Sequence, residues 1–472
     1  MNNIKMIFGA PGCGKTTFLL HLLEQILEEN EPGKVAFVSF TKKGSYEGRD
    51  RAMDRFSLRE DDLPFFRTIH SLAFRDLGVS RYDMISKRHY KEFSTAMGMN
   101  FVGYYTTDYN HGDDRYLFMV SLEKNNKYVF EAMVDDMDFE KFSVIRRNYE
   151  RYKKEYVIKD YDDLLVEFID KGESLPVDIA IIDEAQDLTS LQWRFCEVAF
   201  KDCKEVYIAG DDDQAIYGWS GADTPYFLNK TKGNDVVVLD KSYRLKKNIL
   251  ELAKSVSKKI SMRIPKDFSA VEEGGNIFYH NCIEDIPINS EESYYFLSRN
   301  NYFLPAIDNH LMRMGVVFSH KEKPSVNPAI LNAIRRYEGL RKSAPLEIAG
   351  DKLLSLYLKK DRIKGDPWFS SFNLEINESN YYRDLFKNKT DTSVNRIMVN
   401  TIHGVKGGEA DNVVVLLDMT KTVYKNLTGS TLGMDSELRC LYVALTRTKK
   451  NLHIIHANSK FGYGEIINEV KK

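Results

Sequence analysis

One stretch near the start, IKMIFGAPGCGKTTFLLHLLEQILEE (4–29), constrains the fold more than any other. A short apolar run, IKMIF, ends in a loop carrying Gly9, Gly12 and Gly14. Leu19, Leu22, Leu23, Ile26 and Leu27 then follow at helical spacing. A strand that turns through a glycine loop straight into a helix is the opening unit of a parallel α/β sheet. KVAFVSF (34–40), VDIAIID (177–183), EVYIAG (205–210) and DVVVLD (235–240) supply further continuous apolar strands. Such runs suit a parallel sheet covered on both faces.

A second set follows: SYYFLSR (293–299), VNRIMVN (394–400), NVVVLLD (412–418) and NLHIIH (451–456). Two sets imply two α/β cores, which fits a chain of 472 residues. The polar, aromatic stretch at about 80–165 includes RRNYERYKKEY (146–156) and reads as a helical insertion. A smaller insertion is expected near 340–392. No apolar run reaches the ~18–20 residues that span a bilayer. The N-terminus lacks a signal-peptide plan, so a cytoplasmic chain is expected. The five cysteines show neither C-x-x-C nor zinc spacing, so no disulfide framework or structural zinc is implied. The net charge of −2 leaves nucleic-acid binding open, because binding needs a basic track rather than a basic total.

GAPGCGKT (Gly9, Ala10, Pro11, Gly12, Cys13, Gly14, Lys15, Thr16) matches G-x-x-x-x-G-K-[ST] in the strand-to-helix context the motif requires. Its glycines let backbone N–H groups cradle phosphate oxygens at a helix N-terminus. Lys15 can reach the β- and γ-phosphates, and Thr16 can ligate Mg²⁺. IIDEAQD (181–187) ends a strand in two acids. Asp183 is placed to hold Mg²⁺ and Glu184 to orient or deprotonate the attacking water. Together these predict a hydrolase of a nucleoside triphosphate.

AGDDDQAIYGWSGA (209–222) puts three acids beside two aromatics, and other segments are as distinctive. FVSFTKK (37–43), FRTIHSLAFR (66–75), KDYDDLL (159–165), DEAQD (183–187), LDKSYR (239–244), NTIHGVKGGEADNVVVL (400–416) and ELRCLYVALTRTKK (437–450) complete an ordered series. The series resembles the superfamily 1 helicases of the UvrD/Rep/PcrA type along nearly the whole chain. The resemblance implies two tandem RecA-like P-loop NTPase cores: 1–80 with 160–240, and 241–340 with 393–472. It places a largely helical insertion at 81–159 in the first and a reduced insertion at 341–392 in the second. It implies ATP with Mg²⁺ as cofactors, and 3′→5′ movement on single-stranded DNA toward single-strand/duplex junctions. Replication or repair proteins are candidate partners, and a monomer satisfies every motif. The small size would suit a phage protein acting in a bacterial host.

By the same resemblance Gln214 sits at the γ-phosphate, and Asp211 supports the Mg²⁺ shell indirectly. Arg244 and Arg447 reach the γ-phosphate from the second core, where a guanidinium stabilises spread transition-state charge. Glu409 and Thr17 adjoin the nucleotide. Thr41, Thr68, His70, Tyr217, Trp219, Thr401 and His403 line the DNA, with Lys406 nearby. Base stacking on Tyr217 and Trp219 tolerates any sequence.

The chain departs from the family in four ways. Only eight residues precede Gly9, so the upstream adenine-reading glutamine motif is not expected. Thr17 follows GKT's lysine-threonine pair where arginine is usual. Ser220 replaces the arginine of W-R-G-A. Arg244 and Thr401 stand 157 positions apart, which leaves room for only a remnant of the usual large insertion. Three alternatives stand: a DNA-dependent translocase that unwinds poorly, the opposite-polarity Pif1/RecD branch, and a P-loop scaffold without turnover.

Overall fold

The computed structural model describes residues 3–39, 42–103, 112–134, 137–343, 348, 351–359 and 366–470, with backbone alone at 42–43. Thr41 lies outside the described residues. The chain divides into two units, the first of 1–245, 257–272 and 430–442, the second of 246–256, 273–429 and 443–472.

The first unit holds a six-stranded sheet of β1 (Asn3–Gly9), β2 (Val35–Ser39), β3 (Phe66–Arg67), β4 (Ile179–Asp183), β5 (Glu205–Gly210) and β6 (Asp235–Leu239). Their order is β3-β2-β4-β5-β1-β6, and every pairing is parallel. Strand alternation explains why helices cover both faces. Ile7, Phe37, Ile181 and Tyr207 point to one face, packed with Leu19, Leu23 and Ala52. Phe8, Val38, Ile182 and Ile208 point to the other, packed with Leu72, Leu165, Trp193 and Phe227. The edge strand β6 departs from the expected double cover: Val236, Val237 and Val238 remain 41%, 43% and 36% exposed. An apolar run of this length encodes a strand but not whether that strand lies at an edge.

The insertion is helical, with helices Lys87–Met97, Asp114–Asn125, Lys127–Met133 and Phe139–Glu155. It has its own core around Phe93, Tyr116, Phe142 and Tyr149. Segments 241–245, 257–272 and 430–442, expected with the second core, pack in the first unit. Strand β7 (Lys241–Ser242) pairs with β8 (Ser269–Ala270), and the Ser242 hydroxyl donates to the Pro11 carbonyl at 2.8 Å. Asp435 accepts from the N–H groups of Ser261 and Met262 at 2.8 and 2.9 Å.

In the second unit lie β9 (Asn276–His280), β10 (Tyr294–Ser298), β11 (Ser319–His320), β12 (Lys323–Pro324), β13 (Ile397–Thr401), β14 (Ala410–Leu416) and β15 (Thr448–Ile455). The order is β12-β11-β13-β10-β14-β15-β9, parallel except for the β11–β12 pair. The described part of 341–392 is no separate body. Trp368, Tyr381, Tyr382 and Leu385 share one apolar core with Phe296, Val399 and Val414 of the sheet. Among the described residues, no helix is long and apolar enough to cross a membrane.

Candidate nucleotide site and nucleic-acid surface

β1 delivers Gly9 to the loop, and the helix Lys15–Glu29 begins immediately after Gly14. Gly14 adopts φ 75° and Gly12 φ 72°, a left-handed backbone that glycine reaches without strain. Gly12 also has no room for a side chain: an added Cβ would lie 2.3 Å from the Arg244 Cβ and 3.0 Å from its backbone nitrogen. The Tyr243 N–H donates to the Gly12 carbonyl at 2.8 Å, so the crossing segment is pinned directly on the loop. Arg244 is therefore delivered by the first unit, not by the second as expected, and it is half-buried. Gly12→Ala is expected to displace this crossing and weaken ATP binding at least about tenfold, since left-handed backbone and a sub-contact Cβ each cost on the order of 1 kcal/mol or more. Titration with a fluorescent ATP analogue checks it; an unchanged Kd would refute it.

The Lys15 ammonium lies 3.5 Å from Glu184 Oε2, and Lys15 is only 9% exposed. Burial alone would discharge it, but the carboxylates of Glu184, Asp183 and Asp211 outweigh burial and hold its pKa above the ordinary value. Asp183 closes β4 and accepts the Glu184 N–H at 2.8 Å. Burial first, and then the neighbouring Glu184, push the Asp183 carboxyl up to about 7. A hard cation would relieve that pressure. The oxygen donors of Asp183 and of Thr16, in the first turn of the helix, suit Mg²⁺. Glu184 holds a left-handed backbone (φ 53°, ψ 37°), unusual for a side chain of this type. Its Oε2 accepts from Gln186 Nε2 at 2.5 Å, and Gln186 Oε1 accepts the Asp211 N–H at 3.0 Å. Gln214 Nε2 donates to Asp211 Oδ2 at 2.6 Å. Lys15, Asp183, Glu184 and Gln214 are thus joined by one chain of contacts. Pro11, Ala10 and Cys13 are buried, Thr16 is half-buried and Thr17 is exposed.

Asp211, Asp212 and Asp213 are each 0% exposed and close around the ammonium of Lys266, whose side chain is also 0% exposed. Asp211, expected to support a metal shell indirectly, accepts from Lys266 at 3.0 Å. Arg263 adds a bidentate pair to Asp213 at 2.8 and 2.6 Å. Neither basic residue was singled out from sequence. The only signal is MRIPKDF (262–268), a lysine set among apolar residues.

Past the triplet, Tyr217 and Trp219 are half-buried. The indole of Trp219 stacks on Phe118 of the insertion at 6.0 Å and 29°. Asn126 Nδ2 donates to the Gly221 carbonyl at 3.1 Å, so this aromatic tail is fastened to the insertion. Thr68 occupies the N-cap position of the helix Ile69–Asp76 without a side-chain capping bond. His70 meets Tyr161 edge-on at 5.8 Å, and burial pushes its pKa down to about 4, leaving the ring neutral.

In the second unit, Thr401 and His403 are 7% and 8% exposed. Thr401 Oγ1 accepts the Gly404 N–H at 3.3 Å, so it shapes the turn that carries His403. Lys406 is half-buried. Glu409 pairs with Lys449 at 2.6 Å. Arg447 is 1% exposed; it donates to the Val443 carbonyl at 3.1 Å, the Gly408 carbonyl at 3.4 Å and Thr446 Oγ1 at 3.1 Å.

A glycine-built phosphate cradle at a helix N-terminus, an acid pair at the end of β4, one strand removed from β1 in the sheet, and tandem α/β sheets define a P-loop nucleoside triphosphatase with RecA-like cores. The chain belongs to the UvrD/Rep/PcrA-type superfamily 1 helicases: residues 1–234 match the UvrD/REP helicase N-terminal domain and 370–459 the UvrD-like helicase C-terminal domain. It is similar to the ATP-dependent DNA helicase PcrA of Leuconostoc citreum, 26% identical over 286 residues, covering 55% of this chain and 38% of that protein. PcrA of Staphylococcus aureus (strain NCTC 8325) is also 26% identical, over 307 residues, covering 59% of this chain and 41% of that one. The matched region thus spans about two fifths of these relatives' length.

Proposed function

We propose that the chain is an ATP-dependent DNA motor that moves 3′→5′ on single-stranded DNA and separates strands at a junction. The observation that carries this reading is the Lys15–Glu184 pair at 3.5 Å beside Asp183, at a helix N-terminus built from glycines. Backbone N–H groups at that terminus bind phosphate oxygens, and Lys15 neutralises the β/γ region. Thr16 and Asp183 would hold Mg²⁺, which when bound supplies charge neutralisation at the phosphates. Glu184 orients the attacking water and receives its proton, while Gln214 registers whether the γ-phosphate is present. Arg244 and Arg447 stabilise the charge that develops on the transferring group. Tyr217 and Trp219 stack bases, and Thr41, Thr68, His70, Thr401 and His403 touch the strand. Family membership and the PcrA relatives support DNA as the track.

The test is ATP turnover with and without single-stranded DNA, then strand displacement on duplexes tailed at either end. Strong stimulation with displacement from a 3′ tail is expected. Turnover indifferent to DNA would remove the motor, and displacement from a 5′ tail alone would reverse the polarity. Trp219→Ala should weaken single-strand affinity by about 5–100-fold, the worth of one stacked base. Fluorescence anisotropy of a labelled oligonucleotide reads this, and unaltered affinity would remove Trp219 from the track.

A further inference from the structure

Three carboxylates from consecutive residues are buried together in one loop, an arrangement that repels itself unless cations neutralise it. Lys266 does so from one point. Its ammonium has three N–H donors and three acids around it: Asp211 Oδ1 at 3.0 Å, Asp213 Oδ2 at 3.1 Å and the still closer Asp212 Oδ1. The same acids are bound from other sides. Ile264 N–H donates to Asp212 Oδ2 at 2.9 Å, Arg263 grips Asp213, and Arg439 Nε donates to the Asp212 carbonyl at 2.8 Å. Asp211 differs from its two neighbours. One of its oxygens takes Lys266 and the other takes the Gln214 amide at 2.6 Å, while its N–H reaches Gln186, the partner of Glu184. Asp211 therefore connects the cage to Gln214 and, by way of Gln186, to Glu184.

We propose that Lys266 is a positioning residue for ATP turnover: acting through Asp211, it sets the orientation of Gln214 and, through Gln186, that of Glu184. This rests on the ATPase reading above. Holding both Asp211 oxygens leaves the Gln214 amide one direction to donate, so the side chain needs no search for its orientation at each cycle. Displacing such a group by about 1 Å costs on the order of 10²-fold in rate. Arginine does not replace Lys266, because a planar guanidinium cannot point at three acceptors gathered about one atom in a site with no exposed surface.

The test uses the full chain with saturating single-stranded DNA, comparing wild type, Lys266→Met, Asp211→Asn, Gln214→Ala and the two doubles with Gln214→Ala. Asp211→Asn keeps size and one acceptor for Lys266 but turns an N–H toward the Gln214 amide, donor against donor. Each single change at Lys266 and Asp211 should lower kcat about 10–100-fold. The KM for ATP should stay within about threefold, since phosphate binding is untouched. Each double should lose clearly less than the two single losses multiplied together, because part of the effect runs through that residue and only the Glu184 arm is left to disturb. A loss that adds fully to that of Gln214→Ala, or one confined to KM, would reduce Lys266 to a structural staple and overturn the proposal. Should Lys266→Met fail to fold, Asp211→Asn and its double decide alone: wild-type kcat there overturns it equally. A wild-type chain without ATP turnover would bring down the function reading itself, an outcome distinct from active wild type with insensitive variants.

Discussion

Lys15→Ala should abolish DNA-stimulated ATP turnover, with a loss of at least about 10²–10³-fold, the scale for removing one preorganised charge or donor at a reacting phosphoryl group. The side chain is buried beside Glu184, and its charge is held by the carboxylates of Glu184, Asp183 and Asp211. Removing it deletes the cation that meets the phosphates and leaves those acids facing one another. Nucleotide binding and hydrolysis therefore fall together, because a tetra-anionic ligand would approach uncompensated carboxylates. The apo chain should also melt earlier, by about 2–4 °C per kcal/mol lost for a unit of this size. Turnover assays, nucleotide titration and a thermal melt give the three readings. Turnover within about tenfold of wild type would remove Lys15 from the chemistry.

The local parts of this site were legible in sequence because their signals are local. The run 15–29 is the helix Lys15–Glu29, and EVYIAG is the strand Glu205–Gly210, as periodicity and flanking residues indicate. The helical insertion was indicated by composition, a polar, aromatic stretch lying between strands of the first core. What escaped was the pairing of residues far apart in the chain. Nothing near Asp211 indicates that Lys266, some fifty positions later, closes around it, because an ion pair leaves no period or spacing behind. The placement of 241–245 is similar. Arg244 was expected from the second core, yet Ser242 and Tyr243 bind the Pro11 and Gly12 carbonyls, contacts visible only once the backbone folds back on the loop. The segment near 341–392 read as an insertion by length. Length could not show that Tyr381 and Tyr382 complete a core begun by strands on both sides of it in sequence.

Glu184→Gln should separate binding from hydrolysis, which Lys15→Ala cannot. Glutamine matches glutamate in size, and its carbonyl can still accept from Gln186 Nε2, now at 2.5 Å from Glu184 Oε2. The left-handed backbone at this position carries over unchanged, since it is set by the turn after β4 and not by the side-chain charge. Only the acceptor for a proton and the charge facing Lys15 disappear. Loss of a general base lowers turnover about 10²–10⁴-fold. Binding moves the other way or stays put: with one carboxylate fewer, Lys15 is freer to meet phosphate, and repulsion of the incoming anion falls. The variant should therefore retain ATP with an affinity equal to or tighter than wild type, and turn it over at a small residual rate. Single-turnover quench measurements beside nucleotide titration distinguish these. Weakened binding with unchanged turnover would mean that Glu184 holds the loop together and that the base lies elsewhere. Because the Gln186 bond survives, the Asp211–Gln214 arm stays in place, and residual turnover should still rise on adding single-stranded DNA.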